Sequence, residues 1–219
     1  MIDTLFRVSE IFSSIDGEGI RAGYPVTFIR LHGCNCSCSY CDSTYATESD
    51  DYTLMSAEEI INEVYNKGLF RVTLTGGEPL NNEFAYDLVL ELRNRGYEVN
   101  IETNGSFPIH RFSHLNNTII TMDYKCYSSG MTDKMDVDNF MYLRHQDVLK
   151  FVVGDINDLN QMRDILNQYR IYSNVFVSPV FGNIDPKDIV KYLLDNNLEN
   201  VRLQLQMHKI IWDPNMRGV

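Results

Sequence analysis

Apolar and polar positions along the chain alternate between two periods, and the alternation predicts a chain of strands and helices in turn. Residues 24–33, "YPVTFIRLHG", set Val26, Phe28 and Arg30 against Thr27, Ile29 and Leu31. That period of two predicts a strand. Residues 56–68, "SAEEIINEVYNKG", predict a helix with Ser56 as N-cap, Glu59 at the reciprocal capping position and Gly68 at the end. "FRVTLTGGEP" (70–79) predicts a strand running into a Gly-rich turn, and 83–96 a helix that stops at Gly96. Strands are then expected at 97–105, 118–125, 147–153, 174–180 and 201–206. Helices are expected at 159–169 and 185–197, the second with Pro186 in its first turn. Residues 122–145 have no clean helical period, so one crossover is expected to be degenerate.

Strand–helix alternation of this kind predicts an α/β fold with a parallel sheet and right-handed crossovers. About six such units fall short of an eightfold barrel, so a partial TIM-like barrel is expected. No internal repeat or linker-like tract divides the 219 residues. A single domain over 1–219 follows: an N-terminal loop and strand (1–23), a partial-barrel core (24–205) and a C-terminal tail near the site (206–219). In parallel folds the chemistry collects at the C-terminal ends of strands. The turns there read "GCNCSC", "TGGEP", "ETNG", "DYKC" and "SPVFGN", and they hold most of the reactive residues.

Composition narrows the partners. The net charge of −11 repels phosphate backbones, so neither nucleic acid nor an anionic membrane is expected as a partner. With no membrane-length apolar run and no secretory pattern, a cytoplasmic location is expected. There, clustered cysteines point to metal or redox chemistry.

Four of the five cysteines lie within "CNCSCSYC". Cys34, Cys38 and Cys41 form C-x3-C-x2-C, which can bind three corners of a cubane iron–sulfur cluster and leave one iron open to a further ligand. A zinc site using all four is the alternative at this level, and with it a zinc-stabilised interaction module. Zinc ligands more commonly come as two pairs from separate segments.

The cysteine loop after the first core strand, followed by a strand ending "TGGEP", resembles the radical S-adenosylmethionine (SAM) superfamily. The resemblance implies a [4Fe-4S] cluster on Cys34, Cys38 and Cys41, with SAM on the open iron and reductive cleavage to a 5′-deoxyadenosyl radical. Gly76 and Gly77 then allow close backbone approach to the methionyl ammonium, and Glu78 orients it or the turn. More narrowly, "EIFSSIDGEGIRAGYPVTFIRLHGCNCSCSYCDS", "TGGEPL", "ETNGS", "DYKCYSSGM" and "QMHK" look like the 7-carboxy-7-deazaguanine synthase family, in its Gram-positive-type variant. That likeness spans nearly the whole chain. It implies a carbon–nitrogen lyase that contracts 6-carboxy-5,6,7,8-tetrahydropterin to 7-carboxy-7-deazaguanine with loss of ammonia, regenerating SAM and using Mg²⁺. A homodimer and a flavodoxin- or ferredoxin-like reductant are expected with it. A glycyl-radical activating enzyme shares the cysteine loop but gives no reason for "DGEG" or the "HK" tail.

Site residues follow from that resemblance position by position. Substrate contacts are expected from Ile15, Asp16, Gly17, Glu18, Arg30, Thr75, Glu102 and His208. Chemistry agrees for two of them: a guanidinium at Arg30 can bind the carboxylate as a fork, and a carboxylate at Glu102 can accept two adjacent N–H groups of the pyrimidine. SAM contacts are expected from Tyr40, Cys41, Asp42, Gly77, Asp123, Tyr124, Lys125 and Ser178, Pro179, Val180 and Phe181. No catalytic side chain is assigned beyond the cluster and SAM. Ser43 stands where the family usually has a threonine that ligates magnesium, and it keeps the oxygen. Asp16 replaces the usual Gln, and Asp123 is placed to pair with Lys125. The tail runs on past His208 as "IIWDPNMRGV", so Val219 reaches the substrate only if the tail folds back. Cys36 reads as a small hydrophobe in the loop and Cys126 as a free thiol near the SAM pocket.

Overall fold

The computed structural model describes residues 5–214 and 216–219. One sheet of nine strands organises them: β1 (Leu5–Ile15), β2 (Pro25–Leu31), β3 (Thr53–Ser56), β4 (Arg71–Gly76), β5 (Glu98–Thr103), β6 (Thr118–Lys125), β7 (Val148–Val153), β8 (Asn174–Pro179) and β9 (Val201–Leu203). Their order is β3-β1-β2-β4-β5-β6-β7-β8-β9, an open sheet with edges at β3 and β9. From β2 to β9 the pairings are parallel, while β1 pairs antiparallel with both β2 and β3. The pattern reading thus found the parallel core. It missed β3, whose four residues are too few to show a period.

Helices α1 (Tyr45–Glu48), α2 (Ala57–Lys67), α3 (Ala85–Asn94), α4 (Ile156–Gln168), α5 (Pro186–Asp195) and α6 (His208–Ile211) complete the fold. The capping box predicted for α2 is present: Ser56 Oγ accepts from Glu59 N at 3.3 Å, and Glu59 Oε2 accepts from Ser56 N at 2.7 Å. A cap of this kind contributes about 1 kcal/mol. Ile60, Ile61 and Val64 on one face of α2 are fully buried, each worth about 1.5–3 kcal/mol. The β6–β7 crossover consists of 3-10 turns at Tyr127–Ser129, Thr132–Lys134 and Val137–Tyr142, as the missing helical period predicted. Strand β9 ends at Leu203 rather than at position 206; Gln204 N still donates to Val177 O of β8 at 2.9 Å, and the Gln204 side chain clamps the N-terminal loop. It accepts from Gly19 N at 2.7 Å and donates to Gly19 O at 3.0 Å.

Every residue of β7 is buried, as a central parallel strand requires. One of them is Lys150. Among the described residues no helix is long and apolar enough to cross a membrane.

Candidate active site

The loops after the parallel strands meet at one end of the sheet around a cavity of about 530 Å³, within the usual size for a small-molecule site. The cysteine loop forms one wall. Cys34, Cys36, Cys38 and Cys41 all face the cavity. Backbone bonds hold the loop in place: Gly33 N donates to Ala46 O at 2.8 Å, Ser39 N to Ser129 O at 3.1 Å, and Cys41 N to Cys38 O at 3.2 Å. Asn104 braces it from β5's end, with Nδ2 3.1 Å from Asn35 Oδ1 and 3.4 Å from Cys36 Sγ. Within the loop, Cys36 thus has a polar neighbour beside its place at the cavity. Its backbone N–H donates to Cys34 Sγ at 3.3 Å, and hydrogen bonding from Cys36 holds the Cys34 thiol below the usual cysteine range.

The "GGE" turn packs on this loop. Gly77 N donates to Leu31 O at 3.1 Å and Glu78 N to Gly33 O at 2.9 Å. A Cβ on Gly77 would lie 2.4 Å from Gly33 O, so only glycine permits the approach. Glu78 turns away from the cavity. Its carboxylate is buried and accepts from Leu80 N at 2.8 Å, Thr103 Oγ1 at 2.8 Å and Asn104 N at 2.6 Å. It orients the turn.

Opposite the cysteines lies a charged network. Lys150 Nζ is 3.1 Å from Glu18 Oε2 and 3.4 Å from Asp123 Oδ2. Glu18 also accepts from Ser178 Oγ at 2.8 Å and Gln206 Nε2 at 3.1 Å. Burial pushes its carboxyl up, but Lys150 and these hydrogen bonds outweigh that and hold it below the usual value. Burial dominates at Glu102, whose carboxyl is raised despite Lys150 nearby. Asp123 Oδ2 takes Lys125 Nζ at 3.1 Å, the pairing expected from the sequence, while Asp123 Oδ1 is buried with no hydrogen-bond partner. A buried orphan acceptor at a cavity wall fits a cationic or N–H ligand.

The third wall is apolar and aromatic. Phe12 and Phe28 stack with centroids 4.9 Å apart, and the Arg30 guanidinium lies 6.0 Å from the Phe12 ring. Arg30 Nε donates to Glu10 Oε1 at 2.7 Å, and Tyr45 OH donates to the same oxygen at 2.7 Å. The tail folds back as required, bringing Arg217 and Val219 to the rim.

Most of the expected site residues converge here. Ile15, Gly17, Glu18, Arg30, Thr75, Glu102, His208 and Val219 line the cavity, as do Tyr40, Cys41, Asp42, Ser43, Gly77, Asp123, Lys125, Val180 and Phe181. Four do not. Asp16 is buried beneath the loop, accepting from Arg21 Nε at 2.8 Å and Thr73 Oγ1 at 2.7 Å. The buried Arg21 requires a counter-ion, and Asp16 supplies it. Tyr124 lies on the other sheet face, because strand side chains alternate; its ring packs 5.6 Å from Phe151 and 6.0 Å from Phe140. Ser178 is buried and spent on Glu18, and Pro179 is buried in β8. Cys126 is also a core residue and not near the cavity.

Sequence reasoning missed Lys150, Asn104, Gln206, Lys209 and Arg217, all at the cavity. For Lys150 a signal existed: it interrupts the apolar run 148–153 of a predicted strand. Lys209 Nζ pairs with Asp42 Oδ2 at 3.0 Å, and Ser43 Oγ donates to Asp42 Oδ1 at 3.1 Å.

The family model described as the Radical SAM superfamily matches residues 28–141, from β2 through the cysteine loop to the β6–β7 turns. The 7-carboxy-7-deazaguanine synthase of Clostridium acetobutylicum is 44% identical over 98% of this chain and 99% of its own. This chain belongs to the 7-carboxy-7-deazaguanine synthase family. The family's member from Methanospirillum hungatei is 39% identical over 95% of this chain and 86% of its own. The crystal structure of QueE from Escherichia coli superposes with a TM-score of 0.76 at 22% identity, over 93% of this chain and 95% of that one, and shows the same fold.

Membership of the radical SAM superfamily implies a [4Fe-4S] cluster and SAM. The donor set fits: three cysteine sulfurs on one loop face a cavity whose far wall offers an orphan carboxylate oxygen.

Proposed function

We propose that this synthase-family protein converts 6-carboxy-5,6,7,8-tetrahydropterin to 7-carboxy-7-deazaguanine with loss of ammonia, the reaction class that its relatives' name denotes. One observation carries the reading: a single cavity has the three cluster cysteines on one wall and Glu18, Glu102 and Arg30 on the others. Those groups match a ligand with a pyrimidine edge and a carboxylate.

Cys34, Cys38 and Cys41 hold the cluster on this reading. When bound, the cluster and SAM supply a 5′-deoxyadenosyl radical that abstracts hydrogen from substrate. The chain's own residues then bind, orient and exclude water. Asp123 Oδ1 and Lys125 serve the ammonium and carboxylate of SAM, with Gly77 allowing backbone approach and Tyr40, Val180 and Phe181 enclosing the rest. Glu18, fixed by Lys150, Ser178 and Gln206, and Glu102, which lines the same cavity, accept N–H bonds of the pyrimidine. His208 stands against Gly17 at the cavity wall, where a Cβ on Gly17 would be 2.4 Å from His208 Nδ1. Ser43 and Asp42 offer oxygens for Mg²⁺, which keeps waters and needs few protein ligands. A homodimer in the cytoplasm and a flavodoxin- or ferredoxin-like electron donor complete the proposal.

The test is turnover. Anaerobically reconstituted protein, given reductant, SAM, Mg²⁺ and carboxytetrahydropterin, is expected to release 7-carboxy-7-deazaguanine, identified by mass. An intact cluster with SAM bound but no such product sinks the reading.

A further inference from the structure

The side-chain amide of Asn104 reaches the cysteine loop from the end of β5, and its two ends are told apart by their partners. Asn104 Oδ1 accepts from Ser106 N at 2.9 Å and from Ser106 Oγ at 2.6 Å. A backbone N–H can only donate, so the amide oxygen faces Ser106 and the amide nitrogen faces the loop. One N–H of that nitrogen goes to Asn35 Oδ1 at 3.1 Å. The other is directed at sulfur: Nδ2 lies 3.4 Å from Cys36 Sγ and 3.9 Å from Cys34 Sγ.

The amide is fixed from several sides. Asn104 is buried, and its backbone N donates to Glu78 Oε2 at 2.6 Å. Ser106 Oγ accepts from Asn35 Nδ2 at 2.9 Å, which closes a ring of hydrogen bonds through the two asparagines and the serine. Cys34 Sγ also accepts from Cys36 N at 3.3 Å. A thiolate that ligates iron is a stronger acceptor than a neutral thiol, so an N–H placed between these two sulfurs favours Cys34 once the loop holds its cluster. The reduced cluster is more negative than the oxidised one by one charge, and a donor to its ligand sulfur stabilises the reduced state more.

We propose that Asn104 raises the reduction potential of the cluster by donating its side-chain N–H to the Cys34 sulfur, from a frame built by Ser106, Asn35 and Glu78. The inference rests on the cluster ligands of the proposed function, Cys34, Cys38 and Cys41, and concerns how easily the electron that starts the reaction is loaded. Losing the donor is expected to lower the ratio of reduced to oxidised cluster roughly 10-fold at a fixed applied potential, a fall in midpoint of about 59 mV for a one-electron couple.

The experiment is a redox titration of the reconstituted holoprotein without SAM, following the electron paramagnetic resonance signal of the reduced cluster. Asn104→Ala removes the donor without adding charge. Asn104→Asp keeps an acceptor for Ser106 N and adds a negative charge. Both are expected to titrate below wild type, Asp lowest, with iron and sulfide content retained; if one variant loses its cluster, the other decides. The sign separates this role from bracing alone, because a loosened loop admits water, which favours the more highly charged reduced state and raises the midpoint. An unchanged or raised midpoint overturns the proposal. So does loss of the cluster from both variants, which makes Asn104 a brace for the loop. Failure of the proposed function looks different: wild type then binds no cluster on Cys34, Cys38 and Cys41, or binds it and releases no 7-carboxy-7-deazaguanine. Failure of this inference leaves an active wild type and variants that titrate with it.

Discussion

Lys150 Nζ lies 3.1 Å from Glu18 Oε2, which ties the N-terminal loop to the middle of the sheet across 132 residues of sequence. Both side chains are about 10% exposed, at 11% and 10%. Removing one partner from such a pair leaves a buried charge uncompensated. Lys150→Met is expected to lower stability by about 3–5 kcal/mol at neutral pH, measured by denaturant unfolding, with Lys150→Arg closer to wild type. A loss below 1 kcal/mol would show that Glu18 finds water instead.

The same pair sets a pH response. The Glu18 carboxyl is pushed up by burial and pulled further down by Lys150, Gln206, Ser178 and His208, so in the folded protein it lies below the usual glutamate value. A depressed carboxyl contributes stability above the unfolded value that is lost as pH falls through the folded one. In Lys150→Met, burial is opposed only by Gln206, Ser178 and His208, and Glu102 adds repulsion. The acid limb of kcat/KM is then expected to move to higher pH. An unmoved limb would mean that Glu18 need not be ionised for substrate to bind.

Glu78 accepts three hydrogen bonds while fully enclosed. Burial, against those bonds, raises its carboxyl to about 7. Glu78→Gln puts an amide donor against a backbone N–H, which costs about 1–3 kcal/mol. Because the turn rests on the cysteine loop, cluster retention during gel filtration should fall as well. Unchanged melting and iron content would contradict the role given to Glu78.

His208 depends on a missing side chain. A Cβ on Gly17 would meet His208 Nδ1 at 2.4 Å, so Gly17→Ala must displace the ring or the loop. Misplacement on that scale commonly costs up to about 100-fold. KM for substrate is expected to rise while the cluster spectrum and SAM binding are retained. Loss of the cluster in this variant would show that the loop, and not His208, carries the effect.

Iron counting separates the four clustered cysteines. Cys36→Ala is expected to keep about four iron and four sulfide per chain, while Cys34→Ala, Cys38→Ala and Cys41→Ala each lose them. Since the Cys36 sulfur faces the cavity 3.4 Å from Asn104 Nδ2, Cys36→Ala should still change how readily the cluster is reduced. Loss of iron from Cys36→Ala would mean that the spacing C-x3-C-x2-C picks the wrong three.

Much of the sheet was legible because strands and helices announce themselves by local period. The capping box of α2 and the irregular β6–β7 crossover could be read directly. The site was legible only as far as motif carried it. "DGEG" brought Glu18 to attention, and the structure seats it in the cavity; the same motif suggested Asp16, which serves Arg21 below the loop. Tyr124 failed for a local reason, since Asp123 and Lys125 on either side of it take the cavity face and strand alternation sends it away. The tail was harder still, for no pattern in "IIWDPNMRGV" says that Arg217 lands on Tyr45.

By itself the sequence determined the order of elements, the parallel core and the three cysteines that share one loop, because these depend on neighbours within a few residues. Only the tertiary structure decided which charges cancel. Lys150, Glu18 and Asp123 come from three distant segments, as do Arg30, Glu10, Tyr45 and Arg217. Ion pairing acts through space over a few ångströms, whereas sequence records distance along the chain.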